Sequence, residues 1–182
     1  MKRFIHIPKN AGTSVVAFCN KNNIDILYGV PKRGTSLITK KHSTLQDWSN
    51  ECSDKFAIVR NPYTRLISWF CYLKNLTAYK CDFKKFVMEK LEPTAIRFKT
   101  PSPWTRQFFW ISEFGNLGNI SLFPFEQINK LLPAYLQITA EFPHNNATNI
   151  HGQNFLNWYD SETSKIVEQH FATDFNIWTK LN

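Results

Sequence analysis

Apolar and polar positions along this chain fall into short blocks that alternate between strand-like runs and helix-like stripes. Arg3 to Ile7 is a compact apolar run broken by Pro8. A turn of small and polar residues follows, and then the apolar Val15-Val16-Ala17-Phe18, so the order predicts strand, tight loop and a helix over Thr13 to about Asn22. Ile24 to Tyr28 predicts a second, parallel strand. Gly29 to Gly34, with Pro31, Lys32 and Arg33, reads as a basic loop. Ser43 and Gln46 have capping-box spacing, which predicts a helix starting just after His42. Lys55 to Val59 has the continuous apolar centre of a buried strand. Asn61 as cap and Pro62 at the first helical position then predict a helix from Tyr63 to about Lys74, striped by Leu66, Ile67, Phe70 and Leu73.

The second half gives a coarser reading. Phe83 to Leu91 predicts an amphipathic helix, Thr100 to Pro103 a loop, and Trp104 to Trp110 an aromatic segment. Ile120 to Phe123 predicts a strand ended by Pro124, and Glu126 to Leu132 a helix stopped by Pro133. His144 to Gln153 reads as a polar loop and Ser161 to Phe171 as a helix, with Phe175, Ile177 and Trp178 expected to pack back on the body. Strand-helix-strand units this short predict a doubly wound α/β fold, a central, mainly parallel sheet flanked by helices. With no repeat, low-complexity tract or linker, residues 1–182 are expected to form a single domain.

Composition narrows the class without naming the ligand. Of the 182 residues 43% are hydrophobic and 15% aromatic, which excludes a disordered chain. The formal charge of +8 favours anionic partners, among which nucleic acid is a minority reading on charge alone. No apolar run reaches the roughly 18 to 20 residues that span a bilayer. The first strand begins within three residues of Met1, so the expectation is no signal peptide and a cytoplasmic location. Cys19, Cys52, Cys71 and Cys81 form no C-x-x-C pair and no zinc spacing. Reduced thiols are expected, with a Cys71–Cys81 disulfide left open. The sequons at Asn75, Asn119 and Asn146 read as chance matches.

The candidate chemistry gathers where strands end. Lys9-Asn10-Ala11-Gly12-Thr13-Ser14 sits at a strand-to-helix junction, where the first helical amides have no intrahelical partner and the dipole is positive. Gly12 permits close backbone approach, Thr13 and Ser14 add hydroxyls, and Lys9 adds a mobile cation. His42 is placed in a loop at a helix N-terminus. Arg60 ends the third strand and Ser68 lies two turns into the next helix, so the two form a second anion grip. Two separated grips suggest a ligand phosphorylated at two places. The loop is not a Walker motif: Lys9 precedes the turn, and Arg60 stands where a magnesium-holding acid would end the strand.

The run Pro8-Lys9-Asn10-Ala11-Gly12-Thr13-Ser14 resembles the 5′-phosphosulfate loop of sulfotransferases that use 3′-phosphoadenosine 5′-phosphosulfate (PAPS). Val59-Arg60-Asn61-Pro62-Tyr63-Thr64-Arg65-Leu66-Ile67-Ser68 resembles their 3′-phosphate motif, arginine-to-serine spacing included. Lys41-His42-Ser43-Thr44 is similar to the segment that carries the catalytic histidine in the carbohydrate branch. Weaker similarity runs through Phe125-Glu126, His144-Asn145-Asn146-Ala147-Thr148 and Asp174-Phe175. The resemblance implies a P-loop-like fold and direct, metal-free sulfuryl transfer from PAPS to a hydroxyl-bearing acceptor, a glycan or small molecule. Within it, His42 is the base and Lys9 stabilises the leaving phosphate. Lys9 to Ser14 hold the 5′-phosphosulfate, and Arg60 with Ser68 holds the 3′-phosphate.

Each role has a plainer alternative: His42 as a cap, Arg60 in a sheet-end ion pair, Ser68 bonded back to its own helix. Arg65 reads as structural, with Glu126 as a candidate partner. His6 reads as packed or surface, and His144, His151 and His170 have no metal spacing. The aromatic segment reads as core, with Arg106 and Gln107 leaving an acceptor role open. The chain is short for this family, so acceptor-site loops are expected to be reduced or supplied by a partner subunit. The animal carbohydrate enzymes of the branch are membrane-anchored in the Golgi, whereas no run in this sequence is long and apolar enough to span a membrane. The rival readings are a nucleotide-dependent kinase and a non-catalytic module that binds nucleotide or an acidic polymer.

Overall fold

A computed structural model describes residues 1–31, 38–40, 42–48, 54–76, 81–91, 106–143 and 154–182. Four parallel strands, β1 (Lys2–Ile5), β2 (Ile26–Tyr28), β5 (Lys55–Val59) and β8 (Ser121–Pro124), form the central sheet in the order β2-β1-β5-β8. The chain steps from β1 outward to β2, then crosses back to β5 on the far side of β1. The crevice at the C-terminal ends of β1 and β5 is therefore a topological switch point, where open α/β sheets place their ligands. The doubly wound parallel sheet expected from the sequence is the one observed. Two short antiparallel pairs lie outside it: β3 (Val30–Pro31) with β4 (Ile38–Lys40), and β6 (Ser112–Glu113) with β7 (Asn116–Leu117).

Strand alternation sends side chains to two faces. Phe4, Phe56 and Ile58 pack under α1 (Gly12–Lys21) and α5 (Ile128–Leu136), through Val15, Phe18, Leu132 and Leu136. Ile5, Ala57 and Val59 face Trp110 and Ile111 of α4 (Gln107–Ile111) and Ile177 and Trp178 of α7 (Ala172–Leu181). A third cluster joins α2 (Pro62–Leu76), α3 (Phe83–Leu91) and α6 (Ser161–His170) around Phe70, Phe86 and Val167. Both faces are covered, as all-parallel sheets require.

Several boundaries differ from the sequence expectation for identifiable reasons. The helix expected just after His42 is a three-residue 3₁₀ turn, Gln46–Trp48. Its cap is Thr44 with Asp47, not Ser43 with Gln46: the Thr44 amide and hydroxyl both donate to Asp47 Oδ2, and Ser43 Oγ accepts from Trp48 Nε1. Pro133 does not stop α5, which runs on to Leu136. An interior proline costs about 3 kcal/mol. Burial of Ile128, Leu132 and Leu136 returns about 1.5–3 kcal/mol each, so the helix continues. The basic loop expected over Gly29 to Gly34 begins in β3 of the β3–β4 pair, and its residues 32–34 lie outside the described residues. The polar loop at 144–153 and the proline-marked loop at 100–103 also fall outside them. Cys19, Cys71 and Cys81 are free thiols, so the disulfide left open does not form. No helix among the described residues is long and apolar enough to cross a membrane.

Candidate functional site

The loop between β1 and α1 is the most strained backbone of the crevice. Lys9 (φ 68°) and Ala11 (φ 60°) both take the left-handed conformation, at about 1–2 kcal/mol each for residues that carry a Cβ. Three side chains hold it in place. Arg60 Nη1 donates to Lys9 O at 3.1 Å, Arg65 Nε donates to Pro8 O at 3.1 Å, and buried Asn10 donates through Nδ2 to Ile58 O at 2.6 Å. Hydrogen bonds from charged donors contribute about 1.5–3 kcal/mol, so the two guanidinium bonds alone offset the strain. The first bond of the α1 ladder runs from Val15 N to Ala11 O, so the amides of Gly12, Thr13 and Ser14 lie ahead of it. The N-cap residue, Ala11, makes no side-chain cap bond, and no acidic residue occupies the first turn.

Gly12 plays a different part from the one its position suggested. It lies in the helix, and a Cβ there would sit 1.6 Å from His6 Nε2. The close approach it permits is to a buried imidazole, while the left-handed turns fall to Lys9 and Ala11.

Arg60 ends β5 almost completely buried. Its Nε donates to Thr64 Oγ1 at 3.1 Å and its Cζ lies 4.2 Å from the Phe125 ring centroid. Burial pushes its pKa down to about 10, partly offset by Glu126, so it is charged at neutral pH. The Lys9 ammonium lies 4.2 Å from the Tyr72 ring centroid and 5.8 Å from that of Trp69, both on α2. Burial, and then repulsion from Arg60, lower its pKa. Two cations that repel beside a helix N-terminus with no acidic residue in its first turn make a site whose electrostatics an anion would relieve. Ser68 is buried on α2 and Thr13 is exposed on α1.

Arg65 is structural, as expected, but Glu126 is not its partner. Glu126 is exposed; it accepts from Asn61 N through Oε1 and from Trp178 Nε1 through Oε2. The carboxylate acting on Arg65 is Asp174, because α7 carries it beneath α4 while Glu126 leans toward Arg60.

His42 follows β4 of the small antiparallel pair, not a strand of the central sheet. Its Nδ1 lies 2.7 Å from His6 O. A carbonyl can only accept, so in the neutral ring Nδ1 carries the proton and Nε2 the lone pair. The ring sits 4.3 Å from that of His6 and 5.9 Å, edge-on, from that of Trp110. Its placement is a product of the fold: Leu45 N donates to Trp110 O at 2.7 Å, which ties the histidine loop to α4.

Two residues of the site had no usable sequence signal. Gln107, which the sequence leaves open to an acceptor-site role, is fully buried and bonds Asn10 and the Arg60 backbone. Asp174 accepts from Gln107 N at 2.6 Å and Phe108 N at 2.8 Å and so caps α4. Burial raises its pKa, against the two amides and Arg65, which lower it. Only the weak likeness of Asp174-Phe175 to a family segment pointed there. Trp110 is core, as expected; Phe109 is exposed; Trp104 lies outside the described residues.

The family model described as "Sulfotransferase family" matches residues 3–177. This chain belongs to the sulfotransferase family. The match takes in all but the first residue of β1, all of β5, the loops after them and most of α7, and family membership supports sulfuryl transfer as the general activity of the chain. No curated protein and no solved structure matches the chain.

Proposed function

We propose that residues 1–182 act as one PAPS-dependent sulfotransferase domain that moves the sulfuryl group to a hydroxyl of a carbohydrate acceptor. The observation that carries this reading is the crevice between β1 and β5. There the N-terminus of α1, Lys9 and Arg60 converge, beside a His42 whose Nδ1 lies 2.7 Å from His6 O, which assigns the proton to Nδ1 and leaves Nε2 as the basic nitrogen of the neutral ring. The residues suit the donor: amides and hydroxyls of Gly12, Thr13 and Ser14 with Lys9 for the 5′-phosphosulfate, and Arg60 with Ser68 for the 3′-phosphate. Asn10 and Ala11 shape that loop.

In the transfer, the acceptor oxygen attacks sulfur and its proton passes to His42 Nε2. The bond between sulfur and the bridging phosphate oxygen breaks, and 3′-phosphoadenosine 5′-phosphate (PAP) leaves. Charge grows on the departing phosphate. Lys9 and the α1 amides are fixed before the reaction, so they stabilise that charge without reorganising. A positioned base contributes about 10²–10⁴-fold. A kinase would place an acid at the end of β5, where Arg60 stands.

The test is sulfuryl transfer from radiolabelled PAPS to a panel of glycans and small alcohols. The reading expects transfer by the wild type and a loss of about 10²-fold or more in His42→Ala with PAP binding kept. Transfer that survives His42→Ala removes the base assignment. Nucleotide binding with no transfer to any hydroxyl favours a non-catalytic module.

A further inference from the structure

Gln107 makes an unusual set of bonds for one buried side chain. Its Nε2 donates to Arg60 O at 2.8 Å, and its Oε1 accepts from Arg60 N at 2.9 Å and from Asn10 Nδ2 at 2.6 Å. Sheet pairing stops before Arg60 on both sides, at Val59 opposite Pro124 and at Ala57 opposite Ile5. The Gln107 carboxamide therefore acts as a strand neighbour for Arg60, satisfying both its main-chain groups where the ladder has run out. The same oxygen reaches Asn10, the residue between the two left-handed positions of the β1–α1 loop. Asp174 fixes Gln107 in turn by accepting the first two amides of α4.

We propose that Gln107 is a positioning residue that couples the two phosphate grips, holding the Lys9–Ser14 loop and Arg60 at one spacing so that a ligand phosphorylated at both ends is bound as a unit. The proposal rests on the PAPS reading above. Its physical basis is effective concentration: once one phosphate is seated, the second binds intramolecularly, with an advantage set by how rigidly the two sites are spaced. A ligand with one phosphate uses one grip and is indifferent to that spacing. Gln107 is fully buried, so it selects the ligand without touching it.

Calorimetry with PAP, adenosine 5′-monophosphate and adenosine 3′-monophosphate on wild type and Gln107→Met tests this. Methionine keeps the volume and removes all three side-chain bonds. PAP affinity is expected to fall roughly tenfold or more, while both monophosphates change by less than about threefold. If the variant does not fold, Asp174→Asn loosens Gln107 through the α4 amides, away from both grips, and is expected to give the same selective loss in smaller measure. An equal loss for all three nucleotides, or no loss for PAP, overturns the coupling role and leaves Gln107 a structural residue. A wild type that does not bind PAP overturns the PAPS reading, and the coupling with it.

Discussion

Gly12→Ala tests whether the loop is built on the His6 ring. The added Cβ would lie 1.6 Å from His6 Nε2, 1.8 Å from Cδ2 and 2.5 Å from Cε1. Ordinary van der Waals separation needs the ring to retreat by roughly 2 Å. It has no room: His6 is buried, stacked on Phe4 at 5.4 Å and pressed on His42 at 4.3 Å. Overpacking of this kind costs about 1–3 kcal/mol and sometimes more. Alanine's helix propensity recovers at most about 1 kcal/mol. The clash wins, and a net loss of about 2 kcal/mol is expected, or a fall in Tm of about 4–8 °C for a chain of this size. Urea and thermal unfolding of Gly12→Ala, His6→Ala and the double variant measure it. His6→Ala removes the atoms that clash, so the double variant is expected to be more stable than the two losses added together, by about 1 kcal/mol or more. A single variant within about 0.5 kcal/mol of wild type, or strictly additive losses, would refute the packing argument.

Other consequences follow from the same geometry. Asp174→Ala leaves two α4 amides without their acceptor and Arg65 without its carboxylate, so a loss of about 3–5 kcal/mol is expected in urea unfolding. The pKa of Asp174 is raised on folding, so between its ordinary 3.8 and that higher value the folded state binds more protons than the unfolded one. The stability difference between wild type and Asp174→Asn should therefore decline as pH rises through that window and then level off; a difference that grows there contradicts the shift. Tyr72→Leu removes the ring nearest the Lys9 ammonium, and PAP affinity should drop about threefold by calorimetry, the scale of an exposed cation–π contact. Burial pushes the Cys19 thiol up to about 11, so it should resist a thiol reagent at pH 8 until the chain is unfolded, as a mass spectrum would show.

The sequence was most informative where a segment's neighbours in space are also its neighbours in the chain. β5, with its continuous apolar run, and α3, with its clean stripe, are found at the predicted boundaries. The β1–α1 junction was legible because one loop carries its own amides, hydroxyls and lysine. Gln107 and Asp174 were not, because their work is done across gaps of 97 and 67 residues, with Asn10 and Gln107 respectively. A buried glutamine has no local pattern that separates it from a surface one. His6 under Gly12 was hidden for the same reason: a glycine at a helix start reads as freedom for the backbone, and only packing reveals the ring above it. The Thr44–Asp47 cap displaced the expected Ser43–Gln46 box because Ser43 is engaged by Trp48, a contact that spacing alone does not weigh.

On the proposed function, the crevice between β1 and β5 binds a nucleotide phosphorylated at both its 5′ and 3′ positions. Titration of the wild type with PAP in metal-free buffer, followed by calorimetry, tests it most directly, with Arg60→Met and the milder Ser68→Ala as controls. Saturable one-to-one binding is expected, needing no divalent cation and weakening about tenfold or more when the Arg60 guanidinium is removed. No saturable heat with PAP, or tighter binding of ATP with magnesium than of PAP, would contradict it.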